Sequence, residues 1–99
     1  MKIVSNFQKT GDMRFISHLD LMRLFQRALR RASLPVTVTQ GFSPHLKMST
    51  GRALKLGVES LDEALTVHMS KDVETVFFIE ELNKNLPQGV RITKSEGAG

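Results

Sequence analysis

Basic side chains recur at helical spacing in the first third of the sequence. Four of them fall on one arc of a predicted helix: Arg23, Arg27, Arg30 and Arg31. Guanidinium groups at this spacing repel one another, and Asp20 on the same arc can relieve only part of that repulsion. Phosphate groups would relieve the rest through bidentate hydrogen bonds. The pattern therefore predicts an anion-binding face, and a solvated helix face with acidic partners elsewhere is the alternative.

Two further groups extend this prediction. The segment Gly-Phe-Ser-Pro-His-Leu-Lys (residues 41–47) is a Gly- and Pro-bounded turn that can present His45, Lys47 and backbone N–H groups to a ligand. Arg14 precedes the same helix, whose N-terminus favours anions, and His18 lies in its first turn. The structural alternatives are a well-formed turn for the loop and a partly buried histidine with one satisfied nitrogen for His18.

Several kinds of chemistry are excluded or disfavoured. The sequence has no Cys, which excludes disulfides, cysteine-ligated zinc and thiol catalysis. It has no P-loop, no Gly-x-Gly-x-x-Gly and no nucleophile motif around its serines. His18 and Asp20 diverge on a helix, so they make a poor metal site with His45. We expect no metal and no cofactor, and the sequence identifies no catalytic residue.

The length of the sequence indicates one small domain, and its two halves differ in net charge. Ninety-nine residues suffice for a single core. Residues 1–55 carry ten basic and two acidic side chains, a net charge of +8, and residues 56–99 carry four basic and eight acidic ones, a net charge of −4. This asymmetry favours an anionic partner. We expect a cytoplasmic protein, because the sequence lacks Cys, a secretory signal and a long apolar run.

The hydrophobic pattern predicts an α+β domain. Strands are expected at residues 2–9, 35–39, 64–69 and 90–93, with helices from Ser17 to about Ser33 and from Ser70 to near Leu86. A long loop with a short strand near residues 47–50 would join the second and third main strands. The order is that of the ferredoxin-like βαββαβ fold, an antiparallel sheet with two helices on one face. We expect residues 1–95 to form the domain and residues 96–99 a frayed tail.

The second predicted helix is apolar around too much of its circumference for a surface helix. Val73, Val76 and Phe77 lie mostly outside its main stripe of apolar residues. Either loops cover the excess or these three side chains contact another domain or subunit.

A combination of motifs is more specific than any one of them. Arg-Phe-Ile-Ser-His-Leu-Asp-Leu-Met-Arg (residues 14–23), Gly-Phe-Ser-Pro-His (41–45) and Leu-Gly-Val-Glu-Ser (56–60) occur in this order. The sequence resembles the bacterial radical-SAM-linked domain of unknown function, which occurs beside or fused to radical S-adenosylmethionine proteins. That family commonly has Asn where Ser43 stands and Pro where Leu46 stands. The resemblance implies a bacterial protein that works with a radical enzyme, on RNA, and a family domain longer than this chain.

Three functional hypotheses follow. In the first, the protein is an accessory module that binds RNA, and His18 and His45 line its pocket. The residues that would hold the RNA phosphates are Arg14, Arg23, Arg27, Arg30, Arg31 and Lys47. The RRM-type stacking motif is missing, so this binding would use phosphates and not the sheet. In the second, by analogy of fold order with CRISPR repeat-processing endonucleases, His18 and His45 act as general acid and base in metal-independent RNA cleavage. In the third, the second helix docks a protein partner.

Overall fold

The computed structural model describes residues 1–98, and this part of the chain forms four strands and two α-helices. In chain order they are β1 (Lys2–Lys9), α1 (His18–Arg31), β2 (Met48–Thr50), β3 (Ser60–His68), α2 (Thr75–Lys84) and β4 (Val90–Ala98). A short 3-10 helix, Gly11–Phe15, lies between β1 and α1. The predicted α+β class is confirmed. Among residues 1–98, neither α-helix has the length and the apolar stretch that a transmembrane helix requires.

The strands form one sheet in the order β2-β3-β1-β4, and each strand is antiparallel to its neighbours. The long central pair runs from Lys2 opposite His68 to Lys9 opposite Ser60. Side chains of β1 alternate, so that Ile3 and Phe7 are buried while Val4 is exposed. The predicted four-stranded antiparallel sheet is confirmed, and its alternation leaves one face for the core.

Both helices contribute to the single core on that face. The residues that α1 buries are Leu21, Phe25, Ala28 and Leu29, and those that α2 buries are Phe78 and Leu82. The rings of Phe7 and Phe25 meet edge to face, with centroids 5.0 Å apart and an angle of 75° between planes. This packing fixes the rotation of α1 and thereby turns its arginines away from the sheet.

The strand predicted at residues 35–39 does not form. Val36 makes an isolated bridge to Met69, whereas Val38 makes one to Leu46 within its own loop. Because Val36 and Val38 bridge to different segments, no continuous ladder develops. The edge strand is instead β2, which pairs with β3 from Met48 opposite Val67. The long connection therefore lies mainly before β2, not between the second and third strands.

The bounds of α2 and β4 also differ from the prediction. Glu74, not Ser70, is the N-cap residue of α2, since the Ser70 hydroxyl donates to the Pro35 carbonyl at 3.0 Å and so holds the preceding loop. Residues 96–98, expected to fray, pair with β1 as far as Lys2 opposite Ala98. Pairing with β1 satisfies the backbone N–H and C=O groups of this segment, and the small and polar residues of the segment gave no indication of that pairing. Gly99 lies outside the described residues.

One buried charge is fully partnered and makes stability depend on pH. Glu63 is 6% exposed and accepts hydrogen bonds from Arg52 Nε at 3.0 Å and from Nη2 at 2.6 Å. The hydrogen bond from Arg52 lowers the pKa of Glu63, burial opposes that effect, and a hydrogen bond from Ser60 adds to it. A depressed carboxyl pKa stabilises the fold above the unfolded value of about 4.3 and ceases to do so as pH falls through the folded value.

Glu63→Gln should therefore lower the free energy of unfolding at pH 7 and change it progressively less towards about pH 3. Urea unfolding at a series of pH values measures this difference. Glu80→Gln, at an exposed position, is the matched control, and its effect on the free energy of unfolding should change little with pH. An effect of Glu63→Gln that is equally large at both ends of the pH range would contradict the assignment.

Candidate functional site

The helix that carries the arginines begins where the sequence predicts. Ser17 is the N-cap residue of α1, and its hydroxyl accepts a hydrogen bond from the Asp20 backbone N–H at 3.1 Å. The Asp20 carboxylate contacts Arg23 Nη1 at 3.4 Å. The predicted start of the helix is confirmed, and the acid of its first turn partly neutralises the first arginine of the basic face.

An open groove of about 580 Å³ runs along this face of α1. Its lining residues are Ile16, Asp20, Arg23, Gln26, Arg27, Arg30 and His45. Three of the four helix arginines and the loop histidine thus share one concave surface, although His45 is fifteen or more residues from any of them in sequence. The groove is a place where a ligand can contact helix and loop together.

A side chain that sequence reasoning missed holds the loop against the helix. The Gln26 amide donates to the Leu46 carbonyl at 2.8 Å and accepts from the Leu46 N–H at 2.9 Å. Both backbone groups of a residue next to His45 are therefore bonded to the middle of α1. The sequence did contain a signal for Gln26, namely its place on the arginine face of the helix. Gln26 is three residues after Arg23 and four before Arg30, so all three side chains lie on the same arc.

The loop also orders His45 from within. Thr39 binds both backbone groups of His45. The Thr39 N–H donates to the His45 carbonyl at 2.7 Å, and the His45 N–H donates to Thr39 Oγ1 at 3.1 Å. His45 Nδ1 lies 3.0 Å from the Ser43 carbonyl and 3.3 Å from the Thr39 hydroxyl. The carbonyl can only accept, so the shorter contact is a hydrogen bond in the tautomer that carries the proton on Nδ1, whereas the hydroxyl fits either tautomer. In the neutral ring Nε2 is then the unprotonated nitrogen, able to accept a hydrogen bond from a ligand.

The groove is electropositive. Within residues 1–98, Arg27 and Arg30 take part in no ion pair. The Arg23–Asp20 pair is exposed on both sides, so water and salt screen it and it contributes little. Asp20 is the single carboxylate of the lining, against three guanidinium groups. This balance leaves at least two positive charges for an anion to neutralise.

Two other predicted basic residues lie away from this groove. Arg31 lines a neighbouring groove with Arg27 beside the end of α2, where Lys84 also contributes. Arg14 lies over the Phe15 ring, with its guanidinium carbon 4.4 Å from the ring centroid, and donates to the Gly11 carbonyl at 3.0 Å. Arg14 is therefore occupied by its own 3-10 helix and does not line the groove.

Lys47 lies on the side of the sheet away from the helices. The register of β2 places it opposite His68, whose N–H donates to the Lys47 carbonyl at 3.0 Å. Burial lowers the pKa of His68, and the positive charges of Lys47, Lys2 and the N-terminal amine lower it further. Lys47 therefore belongs to a second basic surface, separated by the sheet from the arginines of α1.

His18 is not among the groove residues. Its Nδ1 is buried, and among the side chains described it is the one buried nitrogen or oxygen without a hydrogen-bond partner. The endonuclease hypothesis needs both histidines at one site, but only His45 lines the groove and His18 does not. Within residues 1–98 no cluster of three or more His, Asp or Glu side chains has the arrangement of a metal site.

A comparison with family models decides the relationship of the chain. A model described as "uncharacterized protein conserved in bacteria (DUF2344)" matches residues 2–98. The chain belongs to this family. The bacterial part of the resemblance read from the motifs is thereby confirmed, and residues of both groove-forming elements of this DUF2344 chain fall inside the match. A comparison with curated proteins gives no match.

Proposed function

We propose that this DUF2344 chain is an accessory module that binds the phosphates of RNA in the groove of α1, beside a radical S-adenosylmethionine enzyme. The observation that carries the proposal is the lining of the groove, in which Arg23, Arg27 and Arg30 face a loop histidine with one carboxylate among them. An anion-binding surface of this kind needs neither a metal nor a nucleophile.

The spacing of the arginines supports a chain of phosphates over a single small anion. At about 1.5 Å of rise per residue, Arg23 and Arg27 are about 6 Å apart along the axis and Arg30 is about 4.5 Å further. Each guanidinium can hold a phosphate in a bidentate manner. A polyanion that follows the helix engages all three, whereas one phosphate reaches only part of the groove.

The radical-enzyme partner rests on the motif resemblance, and α2 offers a surface for it. Val76 and Phe77 are exposed, while Val73 packs partly against the core, with its N–H 3.3 Å from Met1 Sδ. We propose Val76 and Phe77 as the partner contact, on a helix separate from the RNA groove. We also propose the ferredoxin-like arrangement for the domain, which the position of β3 between β1 and β2 supports.

The dependence of RNA binding on salt tests the proposal. Binding of a single-stranded RNA should weaken steeply as salt rises, and Arg27→Ala should reduce the slope of log K against log salt by about 0.7, the value for one phosphate contact on a single strand. Arg91→Ala removes the same charge from β4, outside the groove lining, and should leave the slope unchanged. Binding that is absent at low salt, or independent of salt, would refute the proposal.

A further inference from the structure

The loop that brings His45 to the groove also carries an aromatic side chain with no intramolecular role. Phe42 is fully exposed and is the most exposed of the large apolar side chains described. Exposing a whole phenyl ring to water forgoes the free energy that burial of its apolar surface would contribute. The ring is three residues from His45, so their Cα atoms are at most about 11 Å apart.

The loop that presents Phe42 is anchored at both ends. Gln26 holds Leu46 to α1, and the bridge between Val38 and Leu46 closes the base of the loop. Two hydrogen bonds between Thr39 and His45, one from backbone to backbone and one from the His45 N–H to the Thr39 hydroxyl, close it one step nearer the tip. Gly41, with φ of +136°, turns the chain immediately before Phe42 in a conformation that side-chain-bearing residues rarely adopt. The ring is thus held out from a closed loop beside the groove.

We infer that Phe42 is a stacking platform for an unpaired nucleobase, and that the groove therefore takes single-stranded RNA. The inference rests on the proposed function, and it names the substrate class of the same site. Arginines that hold phosphates beside an exposed aromatic ring are the two components of single-strand recognition. In a duplex the bases stack on one another and are unavailable to the ring.

The surroundings of Phe42 favour a base over an apolar protein surface. The loop neighbours Gln40 and Ser43 are polar and exposed, and the groove beyond them is lined by arginines. A protein-docking patch would be expected to present several contiguous apolar side chains around the ring. Val38, at the base of the loop, is the other large apolar side chain exposed there, so Phe42 is the single exposed ring of the loop. A single ring near polar and cationic groups matches a nucleotide, which has a flat apolar face and a charged backbone.

Three RNA probes and two variants at Phe42 test the inference. The probes are a uridine oligomer of about ten nucleotides, an abasic ribose-phosphate oligomer of the same length, and an RNA duplex. Phe42→Ala should weaken binding of the uridine oligomer about fivefold or more and leave the abasic oligomer and duplex unchanged. Phe42→Leu should lose nearly as much affinity for the uridine oligomer, because leucine is apolar but has no aromatic face on which a base can stack. Leu61→Ala, which shortens an exposed apolar side chain on β3 that belongs neither to the groove lining nor to the α2 surface, is the control and should leave binding of all three probes unchanged.

A spectroscopic readout is independent of affinity. The sequence contains no Trp, so Phe42→Trp provides a single fluorophore at the stacking position. Its fluorescence should be quenched by the uridine oligomer and much less by the abasic one. A protein that uses Phe42 for docking another protein would show neither quenching nor a base-dependent loss.

The outcomes separate this inference from the proposed function. Equal losses on all three probes, or none, would overturn the stacking role, and a remaining effect of Arg27→Ala would leave the phosphate groove standing. Failure of the unaltered protein to bind any probe at low salt would overturn both. A base-dependent loss at Phe42 together with a probe-independent loss at Arg27 supports both.

Discussion

Reversing the charges of Arg27 and Arg30 together should lower the affinity for single-stranded RNA about a hundredfold or more in roughly 0.1 M salt. Two phosphate contacts are lost, and two carboxylates then repel the strand from the same groove. Both side chains are exposed and form no ion pair within residues 1–98, so the fold should persist. Fluorescence anisotropy of a labelled oligomer measures the affinity, and circular dichroism confirms the fold.

The control for this double substitution is another with the same change in net charge. Lys71→Glu combined with Lys94→Glu alters two exposed lysines that do not line the groove. It should reduce affinity by a small factor that fades with added salt, because it changes only the overall field. If the two double variants lose affinity equally, net charge and not the groove accounts for binding, and the site is wrongly placed.

Gln26→Leu should both destabilise the domain and weaken RNA binding. The substitution keeps the size of the side chain but removes both hydrogen bonds to Leu46, leaving a 9%-exposed residue with an unpaired N–H and C=O. Such a loss costs about 1–3 kcal/mol of unfolding free energy. Because the same bonds hold His45 beside the arginines, the loop should open and RNA affinity should fall several-fold. Urea unfolding and hydrogen exchange at residues 39–46 measure the two effects.

Gln40→Leu makes the same chemical change at an exposed position of the same loop and should alter neither stability nor exchange appreciably. The decisive comparison is local. Faster exchange of the Leu46 and His45 amides in Gln26→Leu, without global unfolding, identifies the amide as the attachment of the loop. Unchanged exchange there would show that the bridge between Val38 and Leu46 holds the loop without Gln26.

The helix α1 illustrates what local sequence can establish. Its Ser17 cap, its buried stripe and its basic arc all follow from the 3.6-residue period and from capping, which act over a few residues. The strand β1 follows equally from its local alternation. By contrast, the segment 35–39 has strand-forming residues but bridges to two different segments, a result that depends on where Met69 and Leu46 lie.

The candidate site divides in the same way. The sequence by itself determined that Arg23, Arg27 and Arg30 share one helix face, since their spacing alone sets their direction. Only the tertiary structure decided that His45 joins them and that Lys47, two residues later, lies across the sheet. That decision depends on contacts between distant residues, Gln26 with Leu46 and Lys47 with His68. Such contacts leave no periodic signal in a single sequence, because they arise only when the core has fixed the helix against the sheet.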